Sequence, residues 1–134
     1  MGVITGTARG TKLKTPEGML TRPTTDRGKE ALFNIIQFDI AGDVLDLFAG
    51  TGQLGIEALS RGASRAVFVD HRQDAAALVH ENLRRTHFED RGEVVCTDFT
   101  QYLARCRRKF RLIFLDPPYA EKSLETAIQR LSEI

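Results

Sequence analysis

The chain has 134 residues, of which 42% are hydrophobic and 28% charged, and its formal net charge is +1. This length predicts one domain, and the hydrophobic share is enough for a packed core. No apolar run reaches the roughly 20 residues of a membrane helix, and we expect no signal peptide because the N-terminus lacks an apolar core. Two cysteines are too few for a disulfide framework. The composition therefore predicts a cytoplasmic globular protein rather than a secreted scaffold or a membrane protein.

The first 38 residues predict an extension made of a β-hairpin and a helix. Two short segments, 3–5 and 12–14, flank a turn region that contains two glycines. Several possible N-caps then precede an apolar stripe, which predicts a helix over 26–38.

Four apolar segments alternate with helical ones in the rest of the chain. The predicted strands are 44–48, 66–69, 93–96 and 112–115, and the predicted helices are 53–61, 73–85, 99–107 and 121–133. Strands that are apolar throughout and separated by helices predict a Rossmann-like α/β fold, with a mostly parallel sheet covered on both faces. Right-handed crossovers bring the carboxyl ends of all four strands to one edge, where ligands bind in such folds.

We divide this single domain into the N-terminal extension, 1–38, and a nucleotide-binding α/β core, 43–134. A parallel sheet of four strands leaves an edge exposed. We therefore expect either that C-terminal strands of the fold are missing from this chain or that a partner chain covers the open edge.

A glycine-rich loop follows the first predicted strand. After Phe48 and Ala49 it contains the pattern G-x-G-x-x-G, which starts at Gly50 and opens a helix. Glycines let the backbone turn tightly and approach a ligand. Asp70 follows Gly50 by twenty residues, at the end of the second strand, where a carboxylate can accept hydrogen bonds from both hydroxyls of a ribose. These features fit a nicotinamide dinucleotide nearly as well as S-adenosylmethionine.

Asp46 favours S-adenosylmethionine. It lies inside the first strand, four residues before Gly50, where a buried carboxylate needs hydrogen-bonding partners. An anion close to the loop suits the ammonium and sulfonium groups of S-adenosylmethionine better than it suits a pyrophosphate. The alternative is that Asp46 has only a structural role and stabilises the glycine turn.

Two further acidic residues have a structural alternative. Asp98 ends the third predicted strand and would reach the adenine amino group, with Phe99 available to cover the ring. The alternative for Asp98 is a helix N-cap that pairs with Gln101, and the alternative for Asp70 is an N-cap that pairs with Gln73.

Asp116-Pro117-Pro118-Tyr119 follows the fourth predicted strand and is the most specific motif in the chain. The two prolines remove backbone donors and stiffen the loop, which leaves it rich in acceptors. Acceptors that hold both N–H groups of a nucleobase amine can aim its nitrogen lone pair at a methyl donor. Tyr119 can stack on a base taken out of its helix. The alternative is a proline-rich turn with Tyr119 as surface cover.

Together these residues resemble the class I S-adenosylmethionine-dependent methyltransferases that act on exocyclic amines. They look most like the bacterial small-subunit (16S) ribosomal RNA guanine-N2 methyltransferases. The segments that carry the resemblance are Thr21 to Arg27, Lys29 to Asn34, Asp46 to Gly52, Glu57 to Ala63, and Asp116 to Tyr119. The chain departs from the family pattern at Gly28, where a larger residue is usual, and in lacking three further strands.

The resemblance implies roles for individual residues. The residues that would bind the cofactor are Asp46, Phe48, Gly50, Gly52, Asp70, Asp98 and Phe99. The catalytic loop would be Asp116, Pro117, Pro118 and Tyr119, which would hold the guanine amine. Arg22 and Thr24 would lie over the methionine end of the cofactor and near the RNA.

Basic residues cluster in spite of the near-neutral total. Arg9, Lys12 and Lys14 belong to an N-terminal group near the predicted active edge, and they could neutralise RNA phosphates. A second basic group, over 105–111, precedes the fourth strand and is predicted to be a solvated face at the opposite edge. The histidines have no metal-ligand spacing with the cysteines, so we predict no metal.

The sequence thus predicts a methyltransferase that uses S-adenosylmethionine to modify a guanine 2-amino group, with ribosomal RNA or the assembling small ribosomal subunit as its partner. Three alternatives stay open: an adenine amino methyltransferase acting on DNA or RNA, a nicotinamide-dependent oxidoreductase, and a non-catalytic RNA-binding fragment. The residues alone do not separate guanine from adenine, because the same acceptors suit either amine.

Overall fold

A computed structural model of the chain describes residues 2–15, Phe33 and residues 41–115. Its elements in chain order are β1 (Asp43–Asp46), α1 (Gln53–Ser60), β2 (Arg65–Asp70), α2 (Gln73–Thr86), β3 (Gly92–Cys96), α3 (Phe99–Arg105) and β4 (Leu112–Phe114). Phe33 is helical, as predicted. The rest of the predicted helix over 26–38, the loop over 116–119 and the predicted helix over 121–133 lie outside the described residues.

The four strands form one parallel sheet in the order β3-β2-β1-β4. At its centre Leu45 of β1 pairs with Val67 of β2 and with Ile113 of β4. The prediction of a parallel α/β sheet is confirmed, and the carboxyl ends of all four strands lie at one edge. The outer strands among the described residues are β3 and β4.

Two apolar clusters cover the two faces of the sheet. The first, which we call the hairpin face, joins strand residues such as Val44 and Phe68 to α1, α2 and the N-terminal residues Val3 and Leu13. The second, which we call the α3 face, joins alternate strand residues to α3. Its buried members are Leu45, Leu47, Val67, Val69 and Leu103. The alternation between the faces follows from the two-residue period of a strand.

The N-terminal hairpin has a shorter ladder than predicted. Gly2 and Lys12 form a single antiparallel bridge, and the Val3 amide donates to the Thr11 carbonyl at 3.0 Å. The predicted strands over 3–5 and 12–14 do not extend further, because the backbone in between bonds to α1 instead. Gly6, with φ of +94°, lies so close to Ser60 that an added Cβ would overlap the Ser60 carbonyl oxygen.

Among the described parts of the chain, no helix has the length and apolar character needed to cross a membrane. Within the same residues, no three His, Cys, Asp or Glu side chains are grouped closely enough to hold a metal ion.

Candidate cofactor-binding site

The glycine loop leaves β1 at the carboxyl edge and enters α1. The Ala49 amide donates to the Val69 carbonyl at 3.0 Å, and the Gly52 amide donates back to the Ala49 carbonyl at 2.7 Å. Gly50 and Gly52 have φ of +56° and +82°, a left-handed conformation that favours glycine. Gly52 is the N-cap of α1. The loop therefore turns tightly enough to present its backbone at the edge of the sheet.

The three glycines of the pattern have different surroundings. A Cβ at Gly55 would lie 2.8 Å from Cζ of the buried Phe68 ring, and a Cβ at Gly52 would lie 3.3 Å from the Val79 methyl groups. A Cβ at Gly50 would meet nothing within 4 Å. Gly52 and Gly55 are thus needed for packing, whereas Gly50 faces the open space that a ligand would fill.

Asp70 binds the loop directly. It is the last residue of β2, and its Oδ2 accepts a hydrogen bond from the Gly50 amide at 2.9 Å, while its Oδ1 accepts one from the Arg72 amide at 3.0 Å. Its side chain is 14% exposed. The alternative in which Asp70 caps α2 is wrong, because the N-cap of that helix is Arg72 and no side chain caps it.

Asp46 ends β1 and is almost fully buried. Its Oδ2 accepts a hydrogen bond from the Gly55 amide at 3.1 Å. This contact ties the strand to the first turn of α1, which is the structural role that the sequence left open for Asp46.

β3 ends at Cys96, as the predicted strand over 93–96 does, and Asp98 lies two residues further on rather than at the strand end. It is the N-cap of α3, but no side-chain cap hydrogen bond forms there. The exposed carboxylate accepts a hydrogen bond from the Thr100 hydroxyl, and the Gln101 side chain is engaged by the Thr97 hydroxyl. The predicted N-cap position is confirmed, whereas the reciprocal capping arrangement with Gln101 is wrong.

Phe48 and Phe99 pack against each other beside the loop. Their ring centroids are 5.0 Å apart with an interplanar angle of 54°, and both side chains are half-buried. A tilted aromatic pair of this kind presents ring surface that an adenine could cover. The cofactor-site residues that the structure brings into contact are therefore Gly50 with Asp70, and Phe48 with Phe99.

The predicted RNA-binding residues are only partly described. Arg9, Lys12 and Lys14 are exposed on the N-terminal hairpin. The prediction that this group lies near the active edge is wrong for Arg9, because the turn just before it bonds to Ser60 at the last residue of α1, which is at the opposite edge of the sheet. Arg22, Thr24 and the Asp116 to Tyr119 loop lie outside the described residues.

In the second basic group, Arg108 bonds to Asp43 at 3.2 Å. Because Asp43 begins β1, this contact places Arg108 at the opposite edge, as predicted.

Two site residues escaped prediction. Gln53 begins α1 and is buried, and its Oε1 has no hydrogen-bond partner among the residues that the structure describes. Asn82 of α2 is fully buried and donates to the Thr51 carbonyl at 2.9 Å. One signal could have pointed to Asn82, which is a polar residue on the apolar stripe formed by Val79 and Leu83.

A parallel sheet in this order, with a glycine loop after its first strand and an acidic residue at the end of its second, is a Rossmann-like α/β architecture. The chain belongs to the family described as "Conserved hypothetical protein 95", which it matches over residues 1–134.

Two relatives and one solved structure accompany this family match. The chain is 45% identical to the "Putative rRNA methyltransferase YlbH" of Bacillus subtilis, over 99% of this chain and 74% of that protein. It is 36% identical to "Ribosomal RNA small subunit methyltransferase D" of Escherichia coli, over 98% of this chain and 66% of that protein. The structure described as "Putative methyltransferase yhhF from Escherichia coli" superimposes with a TM-score of 0.88 at 34% identity, covering 99% of this chain and 72% of that one.

Proposed function

We propose that this chain is an S-adenosylmethionine-dependent methyltransferase that acts on the exocyclic 2-amino group of a guanine in small-subunit (16S) ribosomal RNA. The observation that carries the proposal is the Gly50–Asp70 pair, an open glycine held by a partly exposed carboxylate at the carboxyl edge of the sheet. The names of the two relatives, both rRNA methyltransferases, support the substrate class.

Asp70 has the acceptor capacity that a ribose requires. Each carboxylate oxygen accepts about two hydrogen bonds, and one position on each oxygen is used by the amides of Gly50 and Arg72. The remaining positions would accept the two ribose hydroxyls of the cofactor. Phe48 and Phe99 would cover the adenine, with Asp98 as the acceptor for its amino group.

The methionine end of the cofactor would lie over the glycine loop. Gly50 leaves room there, and the buried Oε1 of Gln53 calls for a donor from outside the described residues. The α-ammonium group of the methionine is such a donor. Asp46 would add negative charge beneath the loop, which suits a cationic sulfonium better than an anionic pyrophosphate.

When bound, S-adenosylmethionine supplies a methyl group activated by its sulfonium. The role of the chain is to place the guanine amine in line with that group. We propose that the carboxylate of Asp116 and the carbonyl of Pro117 accept hydrogen bonds from the two N–H groups of the guanine amine, while Tyr119 stacks on the base. The amine nitrogen would take that methyl group and release one proton to water, and S-adenosylhomocysteine would be the other product. Neither cysteine takes part.

The exposed Lys12 and Lys14 would contact RNA phosphates, together with Arg22 and Thr24. The proposal includes a cytoplasmic location, because its substrate is ribosomal RNA or the assembling small subunit.

Calorimetric titration with S-adenosylhomocysteine, with NADH as control, tests the cofactor first. We expect micromolar binding of S-adenosylhomocysteine and none of NADH; binding of NADH alone would support an oxidoreductase. Asp70→Asn should raise the Kd by roughly tenfold, because it removes the charge from a hydrogen-bonding acceptor. Asp74→Asn is the matched control, because Asp74 lies four residues away in the first turn of α2 and pairs with Arg72 on the exposed surface.

Methyl transfer to small ribosomal subunits, followed by nucleoside analysis, tests the substrate. Asp116→Ala should abolish turnover and leave the Kd for S-adenosylhomocysteine largely unchanged. Equal loss of both would contradict the role of Asp116. Methylated adenosine in place of methylated guanosine would favour the adenine alternative, and RNA binding without cofactor affinity would favour the non-catalytic one.

A further inference from the structure

Asn82 is a polar side chain enclosed in the hairpin face. It lies on α2 between Val79 and Leu83, and all three residues are buried. A primary amide removed from water requires hydrogen bonds for both donors and for its acceptor. The residues that supply those bonds show which segments Asn82 fixes in place.

Within the described residues, the side-chain amide of Asn82 makes three hydrogen bonds, to two segments far away in the sequence. Nδ2 donates to the Thr51 carbonyl at 2.9 Å and to the Lys14 carbonyl at 3.0 Å. Oδ1 accepts from the Lys14 amide at 2.6 Å. The orientation of the amide is determined by these partners, because two carbonyls require the NH₂ group and one amide requires the oxygen.

Both partners are close to residues that matter for the proposed function. Thr51 separates Gly50 from Gly52 in the glycine loop, so the orientation of its carbonyl sets the plane of the Thr51–Gly52 peptide. Lys14 leads from the N-terminal hairpin towards the segment that contains Arg22 and Thr24. One buried side chain therefore joins the cofactor loop to the entry of the predicted RNA-binding segment.

We propose that Asn82 is a positioning residue, which fixes the glycine loop for the cofactor and anchors the chain at Lys14 in the same register. This inference rests on the proposed function, since it assigns the fixed loop to S-adenosylmethionine. Its consequence is that changing Asn82 weakens cofactor binding by more than the accompanying loss of stability explains.

Asn82→Asp tests this proposal. The aspartate keeps an acceptor for the Lys14 amide but presents oxygen to the carbonyls of Thr51 and Lys14, so both donations are lost. The matched control is Thr86→Val. Thr86 is buried one turn further along α2, and within the described part of the chain its hydroxyl donates to the carbonyls of Asn82 and Leu83 in the same helix.

The measurements are the Kd for S-adenosylhomocysteine, the melting temperature, and hydrogen exchange of the backbone amides over 48–56. At a temperature where each variant is folded, Asn82→Asp should raise the Kd by roughly tenfold or more and speed exchange in the loop to a similar degree. Thr86→Val should lower the melting temperature but keep the Kd within about twofold and the loop exchange unchanged. If Asn82→Asp does not fold, Asn82→Ser allows the same comparison, because its single hydroxyl donor cannot serve both carbonyls.

Equal weakening by the two variants, or a wild-type Kd and wild-type loop exchange in Asn82→Asp, would overturn the proposal. If the wild-type chain does not bind S-adenosylhomocysteine, the proposed function fails, whereas the exchange data still decide whether Asn82 fixes the loop. The two failures are therefore distinguishable.

Discussion

The two faces of the sheet are built differently. The hairpin face contains buried polar side chains, of which Glu57, Ser60 and Asn82 bind the backbone of the N-terminal segment. The α3 face is closed by apolar and aromatic side chains, and several of them, including Phe99 and Tyr102, are only partly buried. A cavity of about 400 Å³ lies there, between β3 and α3.

The two faces therefore have different roles: one positions chain segments, and the other leaves aromatic surface accessible. Directional hydrogen bonds from buried groups fix where a segment lies, and they are costly to leave unmade. The hairpin face uses them to place the hairpin and the glycine loop. Apolar contacts are not directional. The α3 face is held by such contacts, and part of its aromatic surface stays accessible beside the glycine loop.

Glu57→Ala should have the largest effect, because it removes the central anchor of the hairpin face. The fully buried carboxylate accepts from the amides of Ile4 and Thr5 at 2.9 and 3.1 Å and from the Arg61 side chain at 2.8 Å. Its loss leaves these donors without an acceptor and should lower the free energy of unfolding by about 3–5 kcal/mol. Urea denaturation measures this change.

The control for that variant is Glu81→Ala, which removes an ion pair with Arg84 and Arg85 on the surface of α2. Surface pairs contribute little, so its unfolding curve should stay close to that of the wild type. If the two variants lose similar stability, buried anchors do not distinguish the hairpin face.

Gly55→Ala should have the next largest effect. A Cβ at Gly55 would press on the buried Phe68 ring, whereas one at Gly50 would meet only open space. We expect Gly55→Ala to lower the free energy of unfolding by about 1–2 kcal/mol, since overpacking exceeds the gain in helix propensity. Gly50→Ala should cost about 1 kcal/mol for its left-handed backbone but weaken binding of S-adenosylhomocysteine more than Gly55→Ala does. The reverse order of the two Kd values would contradict the assignment of Gly50 to the ligand.

The parallel sheet could be predicted because its signal is local. Runs such as Val44-Leu45 and the segment 66–69 are apolar throughout, and the glycine loop marks where β1 ends. The ends of the helices and strands were predicted less accurately. The helix predicted over 99–107 stops at Arg105, because Cys106 takes an extended conformation towards β4.

The contacts within the site could not be predicted in the same way. Asp70 was placed near the loop by strand topology, but its bond to the Gly50 amide depends on how two crossovers pack. Asn82 lies 31 residues from Thr51 and 68 from Lys14, and no local pattern connects them. Burial of a polar group is visible only once the surrounding segments are in place.

Tyr102→Phe should have the smallest effect, and it examines the α3 face. Burial raises the pKa of Tyr102 to about 12, from an ordinary value of 10.0, and the neighbouring Cys106 makes a smaller contribution in the same direction. A raised pKa means that the folded chain binds this proton more tightly than the unfolded chain does. The contribution to stability is therefore complete below pH 10 and is lost as the pH rises towards 12.

Because the ring is only partly buried, we expect a small change, seen as a shallower decline of the unfolding free energy of Tyr102→Phe over that range. The chain has two tyrosines, so absorbance titration can assign the late tyrosinate. Tyr102→Phe should remove the ionisation near pH 12. Loss of an ionisation near pH 10 instead would mean that Tyr102 is well solvated and that the α3 face is more open at this position than the comparison with the hairpin face requires.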